Sequence, residues 1–344
     1  MKKTFKIIGI VIFTLVIGCI SYIYLSVPKL PDNSDAIIEN VLNSEIPEFV
    51  KGKSGYITNE NINIWYESIS SPDTNKGAIL LFMGISNDAL GWPQTFINKL
   101  VNSGYQIIRF DYRGTGLSDW IENWEEQPYS LKDLAHDAVI ILDSLKIKKA
   151  NLLGISMGGM VAQEFAINFP ERSNSLTSLM SSGDILDNKL PPISTKIVFE
   201  LVKTSIRYGI IPSDKNTIKL HLSSRVILQG NAKYNINVEE TAKQVLYNLK
   251  KRRGYNPNAS SQHHEATYRS GSRYEKLKCL KMPVLIMHGL NDPFIPIDHS
   301  KKMADILPCA RTKWIENMGH DIPPNLIDTI AKEIFITINS TKEE

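Results

Sequence analysis

An α/β fold, with a mostly parallel sheet covered by helices on both faces and a helical insertion late in the chain, is predicted by three features of this sequence. Apolar runs of strand length at residues 78–82, 106–110, 150–153, 176–180 and 283–289 alternate with stretches of helical periodicity, the pattern of strands buried on both sides. The chain has 344 residues, 42% of them hydrophobic, enough for a sizeable core and too many for one small domain. A polar and basic stretch at residues 184–275 interrupts the alternation, so one domain carrying an insertion fits best.

Residues 1–28 read as a membrane anchor. Residues 7–27 are 21 positions without a charge, and at about 1.5 Å per helical residue they match a bilayer core of about 30 Å. Lys2, Lys3 and Lys6 precede the span, and only Lys29 follows closely before Asp32 and Asp35. The positive-inside rule therefore places the N-terminus in the cytoplasm and the rest of the chain outside, with Tyr22 and Tyr24 near the outer interface. Val16-Ile17-Gly18-Cys19 supports a competing reading, a lipoprotein acylated at Cys19, against which the apolar run 20–25 argues; a cleaved secretory signal is a third. Residues 29–53, rich in Pro, Asn, Asp and Glu, read as a stalk or linker.

Residues 54–183 form the first part of the predicted core. An antiparallel strand at 62–66, a strand at 78–82, a helix at 92–101 and a strand at 106–110 follow one another. Leu131, Leu134, Ala135, Ala138, Leu142 and Leu145 recur at helical spacing and should pack on the sheet. Residues 184–275 are expected to be a helical lid, with helices at 195–208 and 238–251. Residues 276–340 return to the core with strands at 283–289 and 311–316. Lys250-Lys251-Arg252-Arg253 reads as a solvated helix end. The net charge is only +3 and no nucleic-acid motif accompanies the cluster, which argues against a nucleic-acid partner. Trp120 and Trp124 are candidates for a pocket wall or for plain packing.

The chemistry gathers at loops after predicted strands. Gly154-Ile155-Ser156-Met157-Gly158 lies between an apolar run and a helical pattern, the context of a nucleophile elbow, where small residues relieve the crowding of a sharp turn. A serine hydroxyl is a weak nucleophile at neutral pH, so it needs a base and a carboxylate to orient that base. Asp292 and His320 lie in the loops after the strands at 283–289 and 311–316. His288 is the nearest rival base; it belongs to a strand whose side chains are expected to pack against helices. His136, His221, His263, His264 and His299 have structural explanations. Asp184 is an alternative acid, and Asp111 reads as structural. For an oxyanion, the backbone N–H groups of Met157 and Ile85 are the candidate donors, Gly84 supplying the turn before Ile85.

At these residues the chain resembles the α/β-hydrolase superfamily, whose chain order is that of Ser156, Asp292 and His320. The run Leu80-Leu81-Phe82-Met83-Gly84-Ile85-Ser86-Asn87-Asp88-Ala89-Leu90-Gly91-Trp92-Pro93, with Ile108-Arg109-Phe110-Asp111-Tyr112-Arg113-Gly114-Thr115-Gly116-Leu117-Ser118 and Met318-Gly319-His320, is similar to the aclacinomycin methylesterase group within it. Met83-Gly84, where many relatives carry His-Gly, fits that group. The resemblance spans residues 54–338. It implies hydrolysis of a small-molecule carboxylic ester through an acyl-enzyme, with Ser156, His320 and Asp292 as the triad and no metal or organic cofactor. An amidase, a thioesterase or a C–C-bond hydrolase would use the same constellation. A non-catalytic ligand-binding homologue would show a broken triad, and an epoxide hydrolase or dehalogenase would need an aspartate at position 156.

Of three cysteines, Cys19 belongs to the anchor, while Cys279 and Cys309 precede successive strands. Outside the cytoplasm these two could pair as a disulfide, and two separate, half-buried thiols fit equally.

Overall fold

A computed structural model of the chain describes residues 2–71, 74–307 and 309–340, with part of the side chains of its first helix. Helices α1 (Lys2–Ser26) and α2 (Ser34–Leu42) precede β1 (Lys53–Asn59), β2 (Ile62–Ile69), β3 (Ala78–Phe82), α3 (Gln94–Asn102) and β4 (Gln106–Phe110). Then come α4 (Leu131–Ser144), β5 (Ala150–Ile155), α5 (Met157–Asn168) and β6 (Ser173–Leu179). An insertion of α6 (Thr195–Gly209), α7 (Asp214–Gln229), α8 (Val238–Lys251), α9 (Ala259–Ser270) and the short α10 (Tyr274–Leu277) leads to β7 (Val284–Gly289), α11 (Asp298–Ile306), β8 (Arg311–Ile315) and α12 (Ile327–Asn339).

The strands form one eight-stranded sheet in the order β1-β2-β4-β3-β5-β6-β7-β8. β1 with β2 and β2 with β4 are antiparallel; every pair from β4 to β8 is parallel. Side chains alternate across the pleat. Leu80 and Phe82 of β3 join a core with Leu134 of α4, Val161 of α5 and Met303 of α11, while Ile79 and Leu81 join a second core with Phe96 of α3 and Ile330 of α12. That two-sided burial explains why β3 reads as a continuous apolar run, while in β5 the buried Asn151 donates to Ala78 O at 3.1 Å; each fully buried Leu or Ile there contributes about 1.5–3 kcal/mol. Helix α5 is buried from Met157 to Ala166, so no polar face limits its composition.

Residues 29–53 are docked rather than free. Ile38 and Val41 of α2 sit in one apolar cluster with Ile218, Leu222, Val238 and Val245 of α7 and α8. Beyond α2 the chain is tied to the sheet by charge: Glu67 Oε1 accepts the N–H groups of Lys51 and Gly52 at 2.6 Å each, and Arg109, paired with Glu67 at 2.7 Å, donates to Phe49 O at 2.8 Å. Among the described residues no helix is long and apolar enough to cross a membrane. Many of the side chains within residues 7–27, including Cys19, lie outside the described residues.

Arg252 corrects the solvated reading of the basic cluster. Its guanidinium is buried, pairs with Asp88 at 3.3 Å and with Asp111, and lies 4.5 Å from the centre of the Trp65 ring. Arg253 stacks over Trp120 at 4.4 Å. Trp120 donates its Nε1–H to Gly116 O at 3.3 Å, and Trp124 packs edge-on against Tyr129. Cys279 and Cys309 are exposed free thiols, neither paired nor half-buried, because the turns before β7 and β8 face outward.

Candidate active site

Ser156 occupies the corner between β5 and α5 with φ 57° and ψ −126°, a backbone conformation that costs a non-glycine residue on the order of 1–3 kcal/mol. Surrounding bonds hold it there. Ser156 N–H donates to Leu179 O at 2.9 Å, and Ser156 O accepts from the Ser181 hydroxyl at 2.7 Å. The small residues on either side are required by close approach: a Cβ on Gly154 would stand 2.1 Å from Gly158 O, and one on Gly158 would stand 2.0 Å from Phe82 O.

The loops that leave β5, β7 and β8 lie on the same edge of a parallel sheet, which brings together residues far apart in sequence. His320 Nε2 is 2.9 Å from Ser156 Oγ, and His320 Nδ1 is 2.6 Å from Asp292 Oδ2. The other oxygen of Asp292 accepts the N–H groups of Phe294 at 2.8 Å and Ile295 at 3.0 Å. Burial alone would raise the Asp292 carboxyl, but the charge of His320 and the hydrogen bonds from His288 and His320 outweigh it and hold the group well below the usual carboxylate range. Asp184 is not part of this arrangement; its Oδ1 accepts the N–H of Leu186 at 2.9 Å and closes its own turn.

His288 does more than pack. Its Nε2 lies 3.2 Å from Asp292 Oδ2 and 3.0 Å from Ile295 O. The other histidines divide by place. His136 stacks on Phe169, and His299 bridges Ser182 and Pro191 O. His221 and His264 line the cavity above Ser156.

The loop after β3 runs beside the serine, with the Gly84 position facing Ser156 across ordinary van der Waals distance. Among the described residues, the N–H groups of Ile85 and Met157 are not taken up by internal hydrogen bonds. The next residue is pinned from the insertion: Ser86 N–H donates to His263 Nδ1 at 3.0 Å, and His263 Nε2 lies 3.3 Å from Arg113 O. One nitrogen must accept and the other donate, so the ring is neutral. Burial agrees, pushing this imidazole down to about 4. The sequence carried no signal for this role, because nothing local to α9 points to the β3 loop.

Two cavities flank Ser156. The larger, about 940 Å³, reaches His320 and the insertion helices α6, α7 and α8; the smaller, about 210 Å³, is bounded by Met157, Met160, Ile185 and Pro192. Ile85 and Phe294 belong to both walls. Trp120 and Trp124 line neither. A reacting carbonyl at the serine would thus have unequal space for its two substituents. Among the described residues no cluster of potential metal ligands occurs.

Residues 77–324 match a family model described as alpha/beta hydrolase fold. The rhodomycin D methylesterase DnrP of Streptomyces peucetius is 27% identical over 293 residues, 81% of this chain and 95% of that protein. A 2-hydroxy-6-oxononadienedioate/2-hydroxy-6-oxononatrienedioate hydrolase of Paraburkholderia phymatum is 27% identical over 253 residues, 72% of this chain and 83% of that protein. Among solved structures, a membrane phospholipase A described as a bacterial virulence factor superposes with a TM-score of 0.62 at 16% identity, over 100% of both chains, a likeness of fold alone.

Proposed function

The chain belongs to the α/β-hydrolase-fold family and is a hydrolase, and from that premise we propose that it cleaves a carboxylic ester by a Ser156-His320-Asp292 triad while held at a membrane by its N-terminal segment. The observation that carries the catalytic part is the continuous bond path from Ser156 Oγ through both ring nitrogens of His320 to Asp292, at 2.9 and 2.6 Å.

In this mechanism His320 Nε2 takes the hydroxyl proton as Ser156 Oγ attacks the ester carbonyl carbon. The oxyanion is held by the amides of Ile85 and Met157, which need no reorganisation because they stand beside the serine with no internal acceptor to give up. Collapse expels the alkoxide, which leaves as an alcohol with the proton from His320, and an acyl-serine remains. Water then attacks that acyl group, His320 taking its proton and returning it to Ser156 Oγ as the acid departs. Asp292 stays ionised throughout and stabilises the imidazolium. Helices α6 to α9 serve as the lid, and water exclusion beneath them strengthens each of these interactions.

A C–C-bond hydrolase reading is favoured by one observation, the identity to a hydrolase of that kind. Turnover of esters but not of a vinylogous diketone separates the two. Anchoring rests on the uncharged span of residues 7–27, with the catalytic domain outside the cytoplasm; acylation at Cys19 is the competing anchor. The catalytic proposal is tested by a fluorophosphonate probe with mass mapping. Ser156 should carry the adduct, and Ser156→Ala should lose labelling and turnover by on the order of 10⁴ or more. An active enzyme unlabelled at Ser156 would overturn it.

A further inference from the structure

We infer that α6 lies in the membrane surface beside α1, and that the cavity over Ser156 takes an acylated membrane lipid whose hydrocarbon chain enters along α6. The inference rests on the ester-hydrolase reading above and adds its substrate class.

Helix α6 carries much of its apolar surface in the open, although Tyr208 is buried. Lys203 and Thr204 are buried against the protein, while Val198, Phe199, Val202 and Ile206 are 41–54% exposed, and Ile210 and Ile211 just beyond the helix are 63% and 61% exposed. Val198, Val202, Ile206 and Ile210 follow one another at a spacing of four, so they form a single stripe. That stripe borders the cavity, while Phe199 and Ile211 are exposed outside it, and Lys203 behind them is paired with Glu200 at 2.8 Å. Apolar side chains so exposed suit an apolar medium rather than water.

The stripe is also the rim of the cavity. Val198, Val202, Ile206 and Ile210 line the same 940 Å³ space as Ser156 and His320. A small water-soluble ester gains nothing from such an entrance. A long acyl chain leaving a bilayer keeps apolar contact all the way to the serine.

The first helix sets the depth. Lys203 Nζ donates to Ser26 O at 2.9 Å and lies 5.4 Å from the Tyr22 ring centre, while the Arg207 guanidinium is 3.7 Å from that of Tyr24. Tyrosines paired with Lys and Arg at the end of an uncharged span are the side chains of a membrane interface. Locking them to α6 brings the stripe to the level where that span emerges. The occupant of the exposed face at Phe199 and Ile211 is therefore the bilayer, and that of the cavity-lining stripe its acyl chain.

The test uses the full-length protein in vesicles of phosphatidylcholine and phosphatidylglycerol. Two substrates are compared: a long-chain monoacylglycerol embedded in those vesicles and water-soluble p-nitrophenyl butyrate. Phe199 and Ile211 lie on the exposed face but outside the cavity wall. The Phe199→Ser/Ile211→Ser variant should lose roughly tenfold or more on the embedded ester and keep its butyrate turnover. In a second measurement, the Phe199→Trp variant in vesicles with brominated acyl chains should show quenching beyond that of the native tryptophans. If the fluorescence gained by that substitution is not quenched, the membrane seat is overturned, whether water or a second copy covers the face. If wild-type protein cleaves butyrate but not the embedded ester, the lipid substrate falls and the ester reading stands. If it cleaves neither ester, both readings fall.

Discussion

His288 Nε2 stands 3.2 Å from Asp292 Oδ2, the same oxygen that faces His320 Nδ1. The neighbours of that His288 nitrogen, Asp292 Oδ2 and Ile295 O, are both acceptors, so it carries a proton. That N–H donates to Ile295 O and also lies close to the Asp292 carboxylate, so Asp292 has a second imidazole beside the one it shares with His320.

Asp292→Asn should lower kcat by on the order of 10²–10⁴, through loss of imidazole orientation and of the negative charge. His288→Leu should fall between that variant and the wild type, because the carboxylate keeps its bonds from Phe294 and Ile295. Asp184→Asn should leave kcat unchanged. Steady-state kinetics on one ester checks all three, and a large effect at Asp184 would reassign the acid.

His263→Phe should reduce kcat by up to about 10² while KM changes little, because it frees Ser86 and loosens the loop that carries the Ile85 amide. His263→Asn, which keeps an acceptor for the Ser86 N–H, should recover part of the loss. Equal damage from both variants, with a raised KM, would assign His263 to lid packing instead.

Stability should fall as pH drops from about 6.5 to 4. Burial lowers His221 and His263 to about 4 each, below the ordinary histidine value of about 6.5, so both resist protonation in the folded state. Their contribution is whole above 6.5 and is lost down to about 4, on the order of 3 kcal/mol for each imidazole. Asp111 acts in the opposite sense. Burial raises it to about 6 despite Arg252, so protonating it favours the fold as pH falls from 6 towards 4. Burial also raises Asp137, in the sense of Asp111, and lowers His264, in the sense of the other imidazoles. Three imidazoles against two carboxyls leave a net loss, measured as a falling Tm between pH 7 and 4.5, and a flat Tm would contradict the neutral assignment of the imidazoles.

Arg252→Met should destabilise the protein by roughly 3–5 kcal/mol, because Asp88 and Asp111 would be left buried without their cation. Adding Asp88→Asn and Asp111→Asn should restore part of that loss. Denaturant unfolding of the single and triple variants separates unpaired charge from lost packing over Trp65.

Strand β3 and the elbow at Ser156 were legible in the sequence because their constraints are local. Every position of β3 is both buried and apolar, so the strand stands out as a run, and a turn whose neighbouring backbone comes within 2.1 Å of a would-be Cβ must use glycine. Helix α8 was legible for the same kind of reason, with Asn237 accepting the Glu240 N–H before it and Lys250 and Lys251 in its last turn. Asp292 and His320 could be named by following apolar runs to their ends, since loops at one edge of a parallel sheet must meet.

Contacts between distant segments were not legible. Strand β1 and helices α2, α7, α9 and α12 escaped the sequence reading, as their registers depend on what each packs against. Ser86 and His263 are 177 positions apart, and Arg252, at a helix end rich in lysine, looks solvated until Asp88, Asp111 and Trp65 close around it. Residue types and their local order therefore determined the sheet, the elbow and the order of the candidate triad. Which charges are buried, which histidine holds the loop after β3 and which face of α6 looks outward were decided only when the insertion folded back over the sheet, because burial and pairing are properties of the assembled neighbours and not of any segment alone.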